Sequence, residues 1–118
     1  MTKVVSTANV EHYKWGGGAD CDGWYLVRTP ELNVIEELMP SGTCERRHYH
    51  ARARQFFYVL DGELTMEIER QEFLVRRGEG IEVAPGAKHQ VINRGKMPLR
   101  IMVTSQPPSH GDRVDDAG

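Results

Sequence analysis

The sequence predicts an all-β fold, a sandwich or a barrel, and three observations carry that prediction. Gly, Pro, Asp and Asn recur at short intervals, at Gly16-Gly17-Gly18, Asp22-Gly23, Pro40-Ser41-Gly42, Asp61-Gly62, Gly78-Glu79-Gly80, Pro85-Gly86 and Asn93-Arg94-Gly95. The stretches between them run to about 4–8 residues rich in β-formers, the length and punctuation of strands. No window of helical length keeps a period of about 3.6 residues without a Gly or Pro interrupting it.

Taken in chain order, the candidate strands are Trp24–Arg28, Leu32–Met39, Cys44–His50, Gln55–Leu60, Glu63–Glu69, Glu72–Arg76, Gly80–Val83, His89–Asn93 and Leu99–Thr104. Leu64, Met66 and Ile68 alternate with Thr65 and Glu67, the pattern of a half-buried strand. The organisation expected is an N-terminal arm over 1–23, a β-domain over 24–105 and a tail over 106–118. The arm is polar and glycine-rich and is expected to add at most an edge strand. The tail opens with Pro107-Pro108, which cannot continue a central strand, so a solvated tail is expected beyond it, with His110, Asp112 and Arg113 closing the barrel mouth or reaching a dimer partner as the competing reading.

The chain has 118 residues, the size of one domain with a core of its own. Its net charge of -2 gives no bulk attraction to nucleic acid or anionic lipid. No apolar run approaches the roughly 20 residues of a membrane span, and the N-terminus lacks the pattern of a secretory signal. A cytoplasmic location is the expectation. Cys21 and Cys44 make neither a disulfide framework nor a C-x-x-C pair, and packing is the simplest role for each.

The chemistry concentrates at His48-Tyr49-His50. Residues i and i+2 of a strand share a face, so the two imidazoles point the same way and make half of a typical metal site. A hairpin through the polar Ala51-Arg52-Ala53-Arg54, followed by a strand from Gln55 to Asp61-Gly62, would bring Gln55 beside them, and His89 opens a later strand directly after a Pro-Gly turn. Three further residues are candidates for catalytic work. Glu36 and Glu37 are neighbours on one strand, so one of them faces inward, where an unpaired carboxylate is costly and suited to proton transfer. Arg46 has the parity of His48 and is a candidate anion-binding group, with surface exposure the competing reading.

Gly42-x5-His48-x-His50-x4-Gln55-x6-Gly62 resembles the first cupin motif, G-x5-H-x-H-x(3,4)-E-x6-G, except at Gln55. Gly78-x5-Ala84-x-Gly86-x2-His89-x3-Asn93 resembles the second, G-x5-P-x-G-x2-H-x3-N, with Ala84 in the proline place. The 15 residues between Gly62 and Gly78 match the spacing of small single-domain bacterial cupins of the RmlC-like superfamily. The resemblance implies a double-stranded β-helix, or jelly roll, with a divalent metal inside it. It implies that His48, His50 and His89 are ligands, against the alternative of a pocket that holds no metal.

Gln55 stands where the family has a glutamate, either as a weaker neutral ligand or as an amide that only hydrogen-bonds. Imidazoles suit several transition metals. The resemblance favours Fe2+, with Zn2+, Ni2+ and Mn2+ compatible, and a small polar metabolite as substrate. Oxygen-dependent cleavage is the leading chemistry, because neutral three-His sites occur among cupin dioxygenases. Sugar or keto isomerisation comes next, and a non-catalytic sensing or binding module is the alternative. A homodimer is expected from family habit.

Overall fold

Alternation of buried and half-buried side chains runs through every central strand of the computed structural model, which describes residues 2–18 and 20–116. The strands are β1 (His12–Trp15), β2 (Cys21–Arg28), β3 (Asn33–Met39), β4 (His48–His50), β5 (Arg54–Asp61) and β6 (Glu63–Ile68). They continue with β7 (Gln71–Arg76), β8 (Gly80–Val83), β9 (His89–Ile92), β10 (Leu99–Gln106) and β11 (Arg113–Asp115). They form a six-stranded sheet in the order β1-β2-β3-β10-β5-β8 and a five-stranded sheet in the order β11-β4-β9-β6-β7. All pairs are antiparallel. The fold is the all-β double-stranded β-helix expected, with no helix among the described residues.

The inner faces of the two sheets meet in one apolar core. Met39, Val59, Leu99 and Ile101 come from the larger sheet and Leu64, Met66 and Val91 from the smaller. Fully burying each such side chain stabilises the fold by about 1.5–3 kcal/mol. The two glycine-marked motif ends have structural reasons. Gly62 has a φ of +85°, and a Cβ there would lie 2.6 Å from the Pro98 carbonyl oxygen, so no other residue fits that turn. Asn93 donates Nδ2 to the carbonyls of Met39 and Met97 and accepts from Gly95 N, tying two loops at one end of the barrel.

One end of the core is polar. In the larger sheet Asn33 pairs with Ser105 and Ser105 with Gln55, and all three are buried. Facing them across the barrel are the buried histidines of β4 and β9. The site is thus a polar layer at the end of an otherwise apolar interior.

Two boundaries depart from the sequence expectation. The run Cys44–His50 is not one strand: Cys44 makes an isolated bridge to Ile92, and regular pairing begins only at His48. Cys44 is exposed rather than packed, while Cys21 is buried. The tail is not a solvated appendage either. Past Pro107-Pro108 the chain turns back and adds β11 to β4, with Ser109 and Asp112 buried. The sheet interruption at the prolines is real, but the tail re-enters in the other sheet.

Candidate metal centre

His48 and His50 lie two apart on β4 and so share its inner face, and His48 pairs across the ladder with His89 of β9. One ligand nitrogen from each of the three lies within 4.8 Å of the others. His48 donates Nδ1 to the Arg46 carbonyl at 2.8 Å, and His89 donates Nδ1 to the Ala87 carbonyl at 3.0 Å. A carbonyl partner fixes the proton on Nδ1 and leaves Nε2 as the donor, as oriented metal-binding histidines require.

Burial and the neighbouring His89 push His48 down to about 3, and the same causes push His50 down to about 4. Burial lowers His89 as well. The imidazoles are therefore neutral at pH 7, the form that binds a metal. His50 Nδ1, His89 Nε2 and Gln55 Oε1 are buried with no hydrogen-bond partner in the protein. Such orphaned atoms are rare, and a cation would satisfy two or more of them at once. The donor set fits a divalent transition metal.

Gln55 is buried in the same cavity and donates Nε2 to Ser105 Oγ at 3.1 Å. That bond fixes the amide and leaves the carbonyl oxygen as its unpartnered atom. An imidazole–amide donor set is neutral, so it leaves the full charge of a bound dication uncompensated.

The cavity has a volume of about 240 Å³. Its polar wall carries the β4 histidines, Gln55, Glu37, Glu45 and Arg113, and its apolar wall is Ile35, Phe57 and Val103. Of the two adjacent glutamates, Glu37 is the one that faces inward. Desolvation raises its carboxyl to about 7, opposed by a hydrogen bond from Tyr13 and by Arg113. Tyr13 reaches it by lying across Gly23. In register, Tyr13 pairs with Gly23 and Gly23 with Glu37, and a Cβ on Gly23 would sit 2.2 Å from the Tyr13 ring.

Glu36 points to the outer face, where it accepts from Arg100, and so is not a site residue. Arg46 is not one either. Its side chain is 74% exposed and pairs with Asp115 at 3.5 Å, because the irregular chain before His48 breaks the strand parity that would have turned it inward. Only its backbone carbonyl serves the site.

Two residues at the site, Glu45 of the cavity wall and Tyr13 behind Glu37, escaped sequence reasoning. Glu45 accepts from Val91 N at 3.1 Å, and burial raises its carboxyl to about 8. It lies on the irregular segment, so no periodicity marked it. Tyr13 sits in the N-terminal arm, where no motif surrounds it. Arg113, in the tail beyond the double proline, lines the cavity, which favours the barrel-mouth reading of that tail over the solvated one.

The cupin domain family model matches residues 34–105. The chain belongs to the cupin family. An uncharacterized protein from Methanocaldococcus jannaschii is 32% identical over 88 residues, 74% of this chain and 70% of that protein. The tetracenomycin polyketide synthase protein TcmJ of Streptomyces glaucescens is 31% identical over 71 residues, 60% of this chain and 47% of its own. This cupin thus spans about half the length of the Streptomyces protein. Among solved structures, an RmlC-like cupin from Shewanella frigidimarina superposes with a TM-score of 0.81 at 20% identity, covering 94% of this chain and 96% of the other.

Proposed function

We propose that this cupin is a metal-dependent enzyme that moves a proton on a small polar metabolite, with Glu37 as the proton-transfer group. The observation that carries the reading is the enclosure of the Glu37 carboxyl in the cavity lined by His48 and His50, held by Tyr13 and raised to about 7 by burial. A general base is most effective with a pKa near the working pH. His48, His50 and His89 would hold the ion, with Gln55 Oε1 as a fourth, neutral donor. When bound, the ion supplies Lewis-acid polarisation of ligand oxygens.

The chain's own residues do the rest. Glu37 takes a proton from a ligand carbon next to a carbonyl and returns it to the neighbouring carbon or oxygen. The Tyr13 hydroxyl, donating to Glu37, favours the ionised carboxylate that accepts it. Ile35, Phe57 and Val103 keep that side of the cavity dry. Keto–enol isomerisation is the simplest reaction of this class.

Oxygen-dependent cleavage is the second reading, and the neutral donor set favours it. Solvent-deuterium exchange separates the two. The zinc- or manganese-loaded protein should exchange carbon-bound protons of one or more small hydroxyketones or ketoacids, and Glu37→Gln should abolish exchange while keeping the metal. Oxygen uptake by the iron-loaded protein without any exchange would overturn the proton-transfer reading. Tight metabolite binding with neither activity would make the chain a binding module.

A further inference from the structure

The Ser109-His110-Gly111-Asp112-Arg113 segment has no part in the chemistry above, yet it is built into the cavity. Ser109, His110, Gly111 and Arg113 all line it. Asp112 anchors the segment: its carboxylate accepts from Arg52 N at 2.9 Å and Ala53 N at 2.8 Å. The His110 ring meets Tyr25 edge-on, with its Nδ1 2.8 Å from the Tyr25 hydroxyl, and lies edge-on to Tyr13 as well. The tail is thus one wall of the pocket rather than a cover laid over it.

Arg113 is the charged part of that wall. It pairs with His50 in the ladder, so its side chain leaves the sheet on the face of the histidines. Its Nε donates to Asp115 Oδ1 at 2.8 Å and its Nη2 to the Arg46 carbonyl at 3.3 Å. Those two bonds orient the guanidinium and leave Nη1 without a protein partner among the described residues. Glu37 and Glu45 line the same cavity, but neither lies within ion-pair distance of Arg113, whose ion pair is with Asp115. Arg113 and Glu45 also line an outer groove of about 530 Å³, so the arginine stands between the interior and the surface.

We infer that Arg113 is the recognition group for a carboxylate, and that the ligand of this pocket is a small carboxylic acid whose other end lies toward the histidines. An oriented guanidinium with a donor to spare is the usual partner of a carboxylate. A cavity of about 240 Å³ has room for a ligand of about ten non-hydrogen atoms or fewer. One available Nη edge, beside the carboxyl groups of Asp115, Glu37 and Glu45, suits a singly charged carboxylate better than a phosphate dianion. The inference rests on the proposed function only for the ligand's inner end.

Calorimetry on the full-length, zinc-loaded protein tests it, with pyruvate, its neutral amide pyruvamide and inorganic phosphate as probes. The parent should bind pyruvate at least tenfold more tightly than pyruvamide. Arg113→Gln should remove that preference at unchanged zinc content, and Arg113→Lys should restore part of it. Equal affinity of the parent for pyruvate and pyruvamide would overturn the inference without recourse to any variant. So would an undiminished preference in Arg113→Gln, or phosphate binding more tightly than pyruvate. Carboxylate discrimination without Glu37-dependent exchange would sink the proton-transfer reading and leave this inference standing.

Discussion

Arg113 lies directly opposite His50, in the ladder that the C-terminal strand adds to the metal-site strand. Side chains opposed in an antiparallel pair share a face, so the tail delivers its arginine into the cavity that the histidines line. The consequence is a coupling between tail, pocket and stability that a solvated tail would not have.

Asp112 is the simplest probe of that coupling. Its carboxylate accepts two backbone N–H groups, those of Arg52 and Ala53, and burial is nearly complete at Ala53. Asp112→Ala leaves these donors without their partner, and the expected loss is roughly 2–3 kcal/mol, read from urea unfolding. An unchanged midpoint would mean that the tail is not structurally engaged.

Gly23 is where Tyr13 crosses to reach Glu37, and there is no room for a side chain beneath the ring. Gly23→Ala should therefore destabilise the fold by roughly 1–3 kcal/mol and disturb the Tyr13–Glu37 bond. Tyr13→Phe keeps the ring and removes only the donor. Since that donor lowers the Glu37 pKa, the Glu37 titration should move further upward in this variant. Carbon NMR of the labelled carboxyl checks it, and an unmoved or lowered titration would contradict the contact.

The metal-free protein should lose stability as pH rises from 6.5 to 8.5. Glu37 and Glu45 titrate at about 7 and about 8 in the fold, above the ordinary 4.5, so over this range the folded state binds more protons than the unfolded one. Stability then falls with rising pH, by on the order of 2 kcal/mol. The histidines oppose this only in part: with folded values of about 3 and 4 His48 and His50 are neutral in the fold, and the protons they still hold in the unfolded chain near pH 6.5 are worth about 0.4 kcal/mol each. Their own effect is a loss of stability as pH falls from 6.5 through those values. Melting temperatures of chelator-treated parent and Glu37→Gln/Glu45→Gln should diverge above pH 6.5, with the double variant the flatter.

Gln55→Glu should make the site hold metal more tightly, at least tenfold, because a carboxylate donor neutralises part of the ion's charge. Competition against a fluorescent chelator measures this. Equal affinities would indicate that the side chain at position 55 does not reach the ion.

The all-β class and the His48–His50 pair were legible because both rest on local pattern, while the jelly roll and the place of His89 came from the resemblance of the two spaced motifs to those of cupins. Period-two burial, turn residues and the i, i+2 pair of His48 and His50 all survive without knowledge of the partner strands. What was not legible depends on contacts distant in sequence. Arg46 could not be placed from parity, which fails across a segment whose pairing is a single bridge at Cys44, and it takes the exposed alternative. Glu36 and Glu37 were indistinguishable because both faces of β3 carry apolar residues, Val34 and Leu38 on one and Ile35 and Met39 on the other. The tail looked like an ending because Pro107-Pro108 forbids continuing the same strand. Its return to the fold depends on Asp112 meeting backbone donors 59 and 60 positions earlier.

The most direct test of the central claim is anomalous diffraction from crystals of the zinc-loaded protein. The account predicts one strong peak inside the barrel, at about 2.1 Å from a ring nitrogen each of His48, His50 and His89, and its loss in His50→Ala. An interior without a peak, or a peak bound elsewhere and unchanged in His50→Ala, would contradict it.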